Sequence, residues 1–206
     1  MKKNWVFAVV VMSILSATAF AFESDFSKLR MYDESYTNEP MLETSNNEEI
    51  ASLLNSIGVR FEQWQAEIPL SQGASQEEVI NAYQTDVARL VRENGYQSVD
   101  VLRMLPTSTK KEELRNKFIN EHTHKEDEVR FFVEGSGLFY LHVENNVYLV
   151  LCEKGDLISI PANYAHWFDM GQDPYFTAIR FFIEPSGWIP HFTDSNISQS
   201  YPKYGD

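Results

Sequence analysis

The stretch Phe118–Gly137, FINEHTHKEDEVRFFVEGSG, decides how this chain is read. Within it His122, His124 and Glu128 stand as H-x-H-x-x-x-E, and His166 follows in IPANYAHWF. A strand puts residues i and i+2 on one face, so His122 and His124 both point into a barrel interior. Glu128 and Arg130 have the same offset and share a face of the next strand. Three imidazoles and one carboxylate suit a divalent first-row metal ion, and two positions of an octahedron stay open for substrate or oxygen. Histidines do scatter through any sequence, and charged runs such as KEDE usually form solvated turns. Yet three of the chain's five histidines fall in this one constellation, each flanked by apolar residues on a strand-like segment. The expected metal ligands are therefore His122, His124, Glu128 and His166.

Working outward, the hydrophobic period from Phe118 onward is two, with turn residues every few positions. Strands are expected at Phe118–His122, Glu128–Glu134, Leu138–Val143, Val147–Cys152, Leu157–Ile160, His166–Phe168 and Phe176–Ile183. Gly135-Ser-Gly137, Glu144-Asn-Asn146, Gly155-Asp156, Pro161-Ala-Asn163 and Gln172-Asp-Pro174 separate them. Many short strands with regular turns imply an antiparallel sandwich or barrel. Upstream, Ile50, Leu53, Leu54 and Ile57 recur at helical spacing, with Asn47 as cap and Gly58 as stop. A strand is expected over Val59–Ile68, closed by Pro69. Ser75-Gln-Glu-Glu78 has the form of a capping box, opening a helix with Val79, Ile80, Tyr83, Val87, Leu90 and Val91 on one stripe and ending at Asn94-Gly95. Val99–Leu105 reads as a strand and Lys111–Lys117 as a short polar helix. The expected fold is mainly β: an antiparallel barrel with a few helices on its N-terminal side and an irregular tail after Trp188.

The 206 residues suit one domain with a sizeable core, and 43% hydrophobic content excludes a disordered chain. A formal charge of −13 with no basic patch argues against nucleic acid as a partner. Residues 1–21 have the three parts of a secretory signal: Lys2 and Lys3, an apolar run from Trp5 to Leu15, and Ala17-Thr18-Ala19 or Ala19-Phe20-Ala21 for cleavage. The competing readings are a retained anchor over Trp5–Phe22 and a true start at Met31. The sequence alone thus suggests an exported, periplasmic or secreted protein without stable membrane insertion after cleavage, or a cytoplasmic one if the start is misassigned. Residues 22–47 read as a polar arm and 48–206 as the single domain. Cys152 is the one cysteine, so no intramolecular disulfide forms, and its place in VYLVLC makes it a buried strand residue. No unmatched apolar stripe stands out, and a monomer is expected.

The two metal-bearing segments resemble the paired motifs of the cupins, small β-barrels that hold one metal. The first motif, G-x5-H-x-H-x3-4-E-x6-G, is matched at His122, His124, Glu128 and Gly135, with Asn116 at its leading glycine. The second, G-x5-P-x-G-x2-H-x3-N, is matched at Gly155, Pro161 and His166, with Asn163 at the second glycine and Met170 at the final asparagine. Asn is the residue best able to take a glycine-like left-handed conformation, so both exchanges for glycine are mild. Over nearly the whole chain after residue 22, EHTHKEDEVRFFVEGSGLFYLHV, GDLISIPANYAHWFDMG, AIRFF…GWIP, FEQW and AYQTDVARL resemble the acireductone dioxygenase family. The resemblance implies one Fe(II) or Ni(II) per chain on His122, His124, Glu128 and His166, with a small enediol and O2 as partners. It implies methionine-salvage chemistry, giving formate and a 2-oxo acid with Fe(II), or carbon monoxide, formate and a shorter acid with Ni(II). Arg130 is the expected catalytic and substrate-binding cation, its alternative being a structural ion pair to Glu128 or another acid. Phe118, Phe168 and Trp188 match pocket aromatics, Arg180 lies on the strand leading there, and Glu121 stands ready to support a ligand by a hydrogen bond or to assist metal loading. The reading from another class is a metal-containing cupin that binds a small ligand without turnover, or acts on a different enediol.

Overall fold

The computed structural model describes residues 28–184 and 189–205. The leader and Trp188 lie outside the described residues. The strands are β1 Leu29–Asp33, β2 Leu42–Thr44, β3 Arg60–Gln63, β4 Ser98–Met104, β5 His122–Thr123, β6 Glu128–Val143, β7 Asn146–Glu153, β8 Asp156–Ile160, β9 Ala165–Asp169, β10 Phe176–Phe182 and β11 His191–Phe192. The helices are α1 Asn47–Ser56, α2 Gln76–Ala82, α3 Gln84–Asn94 and α4 Lys111–Phe118. Every strand pairing is antiparallel. One face runs β11-β5-β9-β6-β7-β1-β2, and the other joins β4, β10, β6, β8 and β3. The architecture is an antiparallel β fold of cupin type, with its helices in the N-terminal half.

β6 belongs to both faces. Its first residues pair with β8 and β10, and Leu138–Val143 pair with β7 and β9. Gly135-Ser-Gly137, expected as a turn between two strands, is instead continuous strand. The register against β10 slips by one residue between Thr177 and Ala178, the signature of a bulge. A one-residue slip moves side chains to the opposite face. Before it, Phe132 enters the barrel core while Val129, Phe131 and Val133 pack outward; after it, Phe139 and Leu141 point inward. Gly135 has φ +62°, and a Cβ there would lie 1.7 Å from the Tyr175 carbonyl oxygen, so only glycine permits this close approach.

Both faces of the strands are buried, which explains the near-continuous apolar runs of β6, β7 and β10. The barrel interior holds Phe132, Phe139, Ile158, Phe168 and Phe176. A second core lies between β6–β8–β10 and the helices, where Val79, Tyr83, Val87 and Leu90 meet Phe131, Ile179 and Phe181. A third packs Tyr140 and Trp167 against Tyr201 of the C-terminal segment.

Several element boundaries differ from expectation for identifiable reasons. The Ser75–Glu78 capping box is present, but the helix it opens breaks at Tyr83 and resumes as α3, which ends on left-handed Gly95. Asn46 rather than Asn47 caps α1, accepting from the amides of Glu48 and Glu49. Phe118 closes α4 and is not strand. Strand structure ends at Gln63 in the segment expected to continue to Ile68. Two strands form within the arm: β1 pairs along its full length with β7, and Leu29 is fully buried. A chain starting at Met31 would lack Leu29 and the buried Lys28–Asp156 ion pair at 2.9 Å.

Candidate metal centre

β9 lies between β5 and β6, and that adjacency assembles the site. His122 and His166 are direct cross-strand partners, and His166 also stands opposite Leu141 of β6. Glu128 comes from the other end of β6, beyond the bend, where it pairs with Ile160. His124 follows β5, and its carbonyl accepts the amide of Asn163, linking the two motifs at 2.8 Å. Asn163 has φ +65°, the left-handed conformation its motif position requires, while Asn116 lies inside α4.

The four side chains are all buried, and their ligand atoms lie within 4.8 Å of one another. Donors about 2.1 Å from a common ion stand at most about 4.2 Å apart, so side-chain shifts of a few tenths of an ångström close the cluster into a coordination shell. Glu128 Oε2 is 3.0 Å from Nε2 of both His124 and His166. His122 Nδ1 and His166 Nδ1 donate to the carbonyls of Asn120 and Tyr164 at 2.7 and 2.8 Å. A carbonyl only accepts, so each Nδ1 carries its hydrogen and each neutral ring keeps its Nε2 lone pair. Lone pairs of His166 and Glu128 thus face each other, an arrangement a cation relieves. Burial pushes His122 down to about 4, so this ring is neutral at pH 7. Burial alone would raise the Glu128 carboxyl, but the Arg130 guanidinium beside it holds it well below the usual range. Neutral imidazoles and an ionised carboxylate are the forms that bind a metal.

Glu128 divides its oxygens: Oε2 faces the imidazoles and Oε1 accepts from Arg130 Nη2 at 2.9 Å. Beside the cluster lies a cavity of about 270 Å³. Phe118, Phe168, Arg130 and Arg180 all line it, as do residues not singled out from sequence: Leu102, Leu114, Lys117, Phe132, Phe139, Phe176, Ala178 and Pro190. Period-two alternation from Arg130 would have found Phe132; the α4 residues depend on how that helix docks, which no local pattern encodes. Arg130 and Arg180 are cross-strand partners, and Asp100 of β4 holds Arg180 through two 2.6 Å bonds. Burial lowers Arg180 to about 10, so it stays charged.

Glu121 lies elsewhere. It is buried, but its bonds go to His142 at 2.6 Å and to Thr193 at 2.5 Å; no bond from its carboxylate to a ligand imidazole is found among the described residues. His142 is thus the bridge between Glu121 and Glu34. His191 is exposed in β11.

A family model described as the ARD/ARD' family matches residues 28–190. An acireductone dioxygenase of Stenotrophomonas maltophilia (strain K279a) is 54% identical over 178 residues, 86% of this chain and 96% of that protein. One from Enterobacter sp. (strain 638) is 55% identical over 177 residues, 86% of this chain and 98% of its own length. The structure of an acireductone dioxygenase from Bacillus anthracis with cadmium ion in its active center superposes with a TM-score of 0.71 at 28% identity, covering 81% of this chain and 98% of that one. These relatives overturn the expectation of export. Their lengths are almost fully used by the matched region, which leaves no counterpart for a leader of 21 residues, and the signal assignment is withdrawn. With the family model spanning most of the chain and the relatives matched nearly end to end, the chain belongs to the ARD/ARD' family.

Proposed function

We propose that the chain cleaves an acireductone with O2, using one Fe(II) or Ni(II) held by His122, His124, Glu128 and His166. The observation that carries this reading is the division of the cavity. The imidazoles of His122 and His124, the Glu128 carboxylate and two opposed guanidiniums meet at one part of it, with His166 behind Glu128, and the phenyl rings of Phe118, Phe132, Phe139, Phe168 and Phe176 line much of the rest. An enediol beside a carbonyl, carried on an apolar thioether tail, has the same division. When bound, the metal supplies a Lewis acid that stabilises the enediol as its dianion and brings it together with O2.

The chain's own residues do the rest. Arg130 and Arg180 face each other across β6 and β10, and like charges in direct opposition favour an anion between them. Glu128 and Asp100 fix the two guanidiniums, so their donors are set before substrate arrives. The aromatic wall excludes water from an electron-rich guest. Glu121 is assigned to positioning the segment that carries Thr193. Both oxygen atoms of O2 enter the products: formate and the 2-oxo acid with Fe(II), or carbon monoxide, formate and the acid one carbon shorter with Ni(II). The relatives named acireductone dioxygenase support the reaction, and the neighbour with cadmium ion in its active center supports a metal-dependent one.

The test is metal content together with O2 uptake on a desthio acireductone. His124→Ala is expected to lose metal and rate together. Full activity of metal-free protein would overturn the proposal.

A further inference from the structure

We propose that Lys117 captures the anionic substrate at the rim of the cavity. The proposal rests on the acireductone reading above. Of the residues lining the cavity, Lys117 is the exposed one, so this residue stands at the boundary between the cavity and water. Leu114, Lys117 and Phe118 all line the cavity, and their spacing places them on one face of α4. The roll of that helix is fixed from another direction. Arg115 makes two bonds, of 2.7 and 2.9 Å, to Asp169, a fully buried carboxylate on β9, the strand that carries His166. Lys117 therefore faces the opening by construction.

Charge explains why a cation is needed there. The chain has 30 acidic residues against 17 basic ones, so its general field repels a dianion. Within the cavity lining the balance reverses: Lys117, Arg130 and Arg180 against Glu128. The two arginines already face acids, Glu128 and Asp100. Lys117 has no acidic partner among the described residues. At physiological salt, charges farther than about 8 Å are largely screened, so a cation at the rim dominates what an approaching anion meets. A purely structural role also exists, since a lysine in the last turn of α4 complements the helix dipole. That role would not respond to substrate charge.

The experiment is anaerobic titration of the Fe(II) protein with a desthio acireductone, followed by its dianion absorbance, at about 0.02 M and about 0.3 M salt. A unit charge some 8 Å from a dianion in water is worth about fivefold in affinity, so Lys117→Gln should weaken binding by about that factor at low salt and by less than about twofold at high salt. Lys117→Glu should weaken it about twenty-five-fold at low salt, the same step taken twice. Lys117→Arg should bind like the parent, and kcat for O2 uptake should stay within about twofold across the set, since a rim charge acts on capture. Unchanged affinity in the Gln and Glu variants would overturn the proposal. So would a loss that persists at high salt, which marks a packing contact, or a fall in kcat at constant affinity. A protein that binds the dianion with this salt dependence but takes up no O2 would keep the capture role and remove the dioxygenase reading.

Discussion

His142 is the histidine that the metal cluster leaves aside, and its surroundings set its protonation. Nδ1 lies 2.6 Å from Glu121 Oε1 and Nε2 lies 2.8 Å from Glu34 Oε2. A neutral imidazole donates from only one nitrogen, so satisfying both carboxylates requires the imidazolium. The hydrogen bond to Glu121 raises His142 above its ordinary 6.5, against the opposing effect of burial. Burial would raise Glu121, but the bonds from His142 and Thr193 outweigh it and lower it from 4.5. The raised imidazole contributes stability that is full below pH 6.5 and is lost as pH climbs through its folded value. The lowered carboxyl contributes stability that is full above pH 4.5 and is lost as pH drops through its folded value. The pair is thus strongest near pH 5–6.5. His142→Gln is expected to cost about 1–3 kcal/mol near pH 6, with the gap to the parent closing as pH rises through the folded value of His142. Urea unfolding across that range checks it; a gap that is constant with pH would mean that His142 acts by packing alone.

At the scale of elements, β6 governs the site, because its bend lets Glu128 and the neighbours of His166 come from one strand yet from two faces. Gly135→Ala would drive a Cβ to 1.7 Å from the backbone carbonyl oxygen of Tyr175, at φ +62°. We expect a loss of at least about 3 kcal/mol, beyond the ordinary 1–2 kcal/mol of a left-handed alanine, because neither strand can yield without breaking its ladder. Thermal unfolding measures this, and metal retention should fall with it as Glu128 is displaced; a variant within about 1 kcal/mol of the parent would show that the bend relaxes. The same bend marks the boundary of what the sequence reveals. Alternation and the turns at Glu144-Asn-Asn146, Gly155-Asp156 and Pro161-Ala-Asn163 are local, and β7, β8 and β9 could be read from them. So could the four ligands, since two-residue spacing and the motif order are properties of the chain itself. Gly135-Ser-Gly137 looks like a turn because a bulge and a turn both need glycine. Only the approach of Tyr175, forty residues on, distinguishes them. Tyr83 breaks a helix whose apolar stripe runs on uninterrupted, and β1 hides in polar surroundings because its partner β7 lies more than a hundred residues away.

At the scale of the whole molecule, that distant pairing is secured by one buried ion pair. Lys28 Nζ stands 2.9 Å from Asp156 Oδ2 and 3.1 Å from Oδ1, with the Phe61 ring centroid 5.7 Å away. Asp156 is fully buried, and it also accepts from the Glu153 amide and Gln63. It opens β8, the strand that pairs with the Glu128 end of β6, so the start of the described chain is tied to the sheet that carries a metal ligand. Removing the lysine would leave a carboxylate buried without its counter-charge, which costs far more than the pair itself contributes. Lys28→Met is therefore expected to lose about 3–5 kcal/mol in urea unfolding. Neutralising the stranded group tests the cause. Lys28→Met combined with Asp156→Asn keeps an acceptor for the buried Glu153 amide but removes the charge, and should recover about half of the loss. If the double variant is no more stable than Lys28→Met, the lysine acts through its packing on Phe61, and the electrostatic account of how the N-terminal strand is held fails.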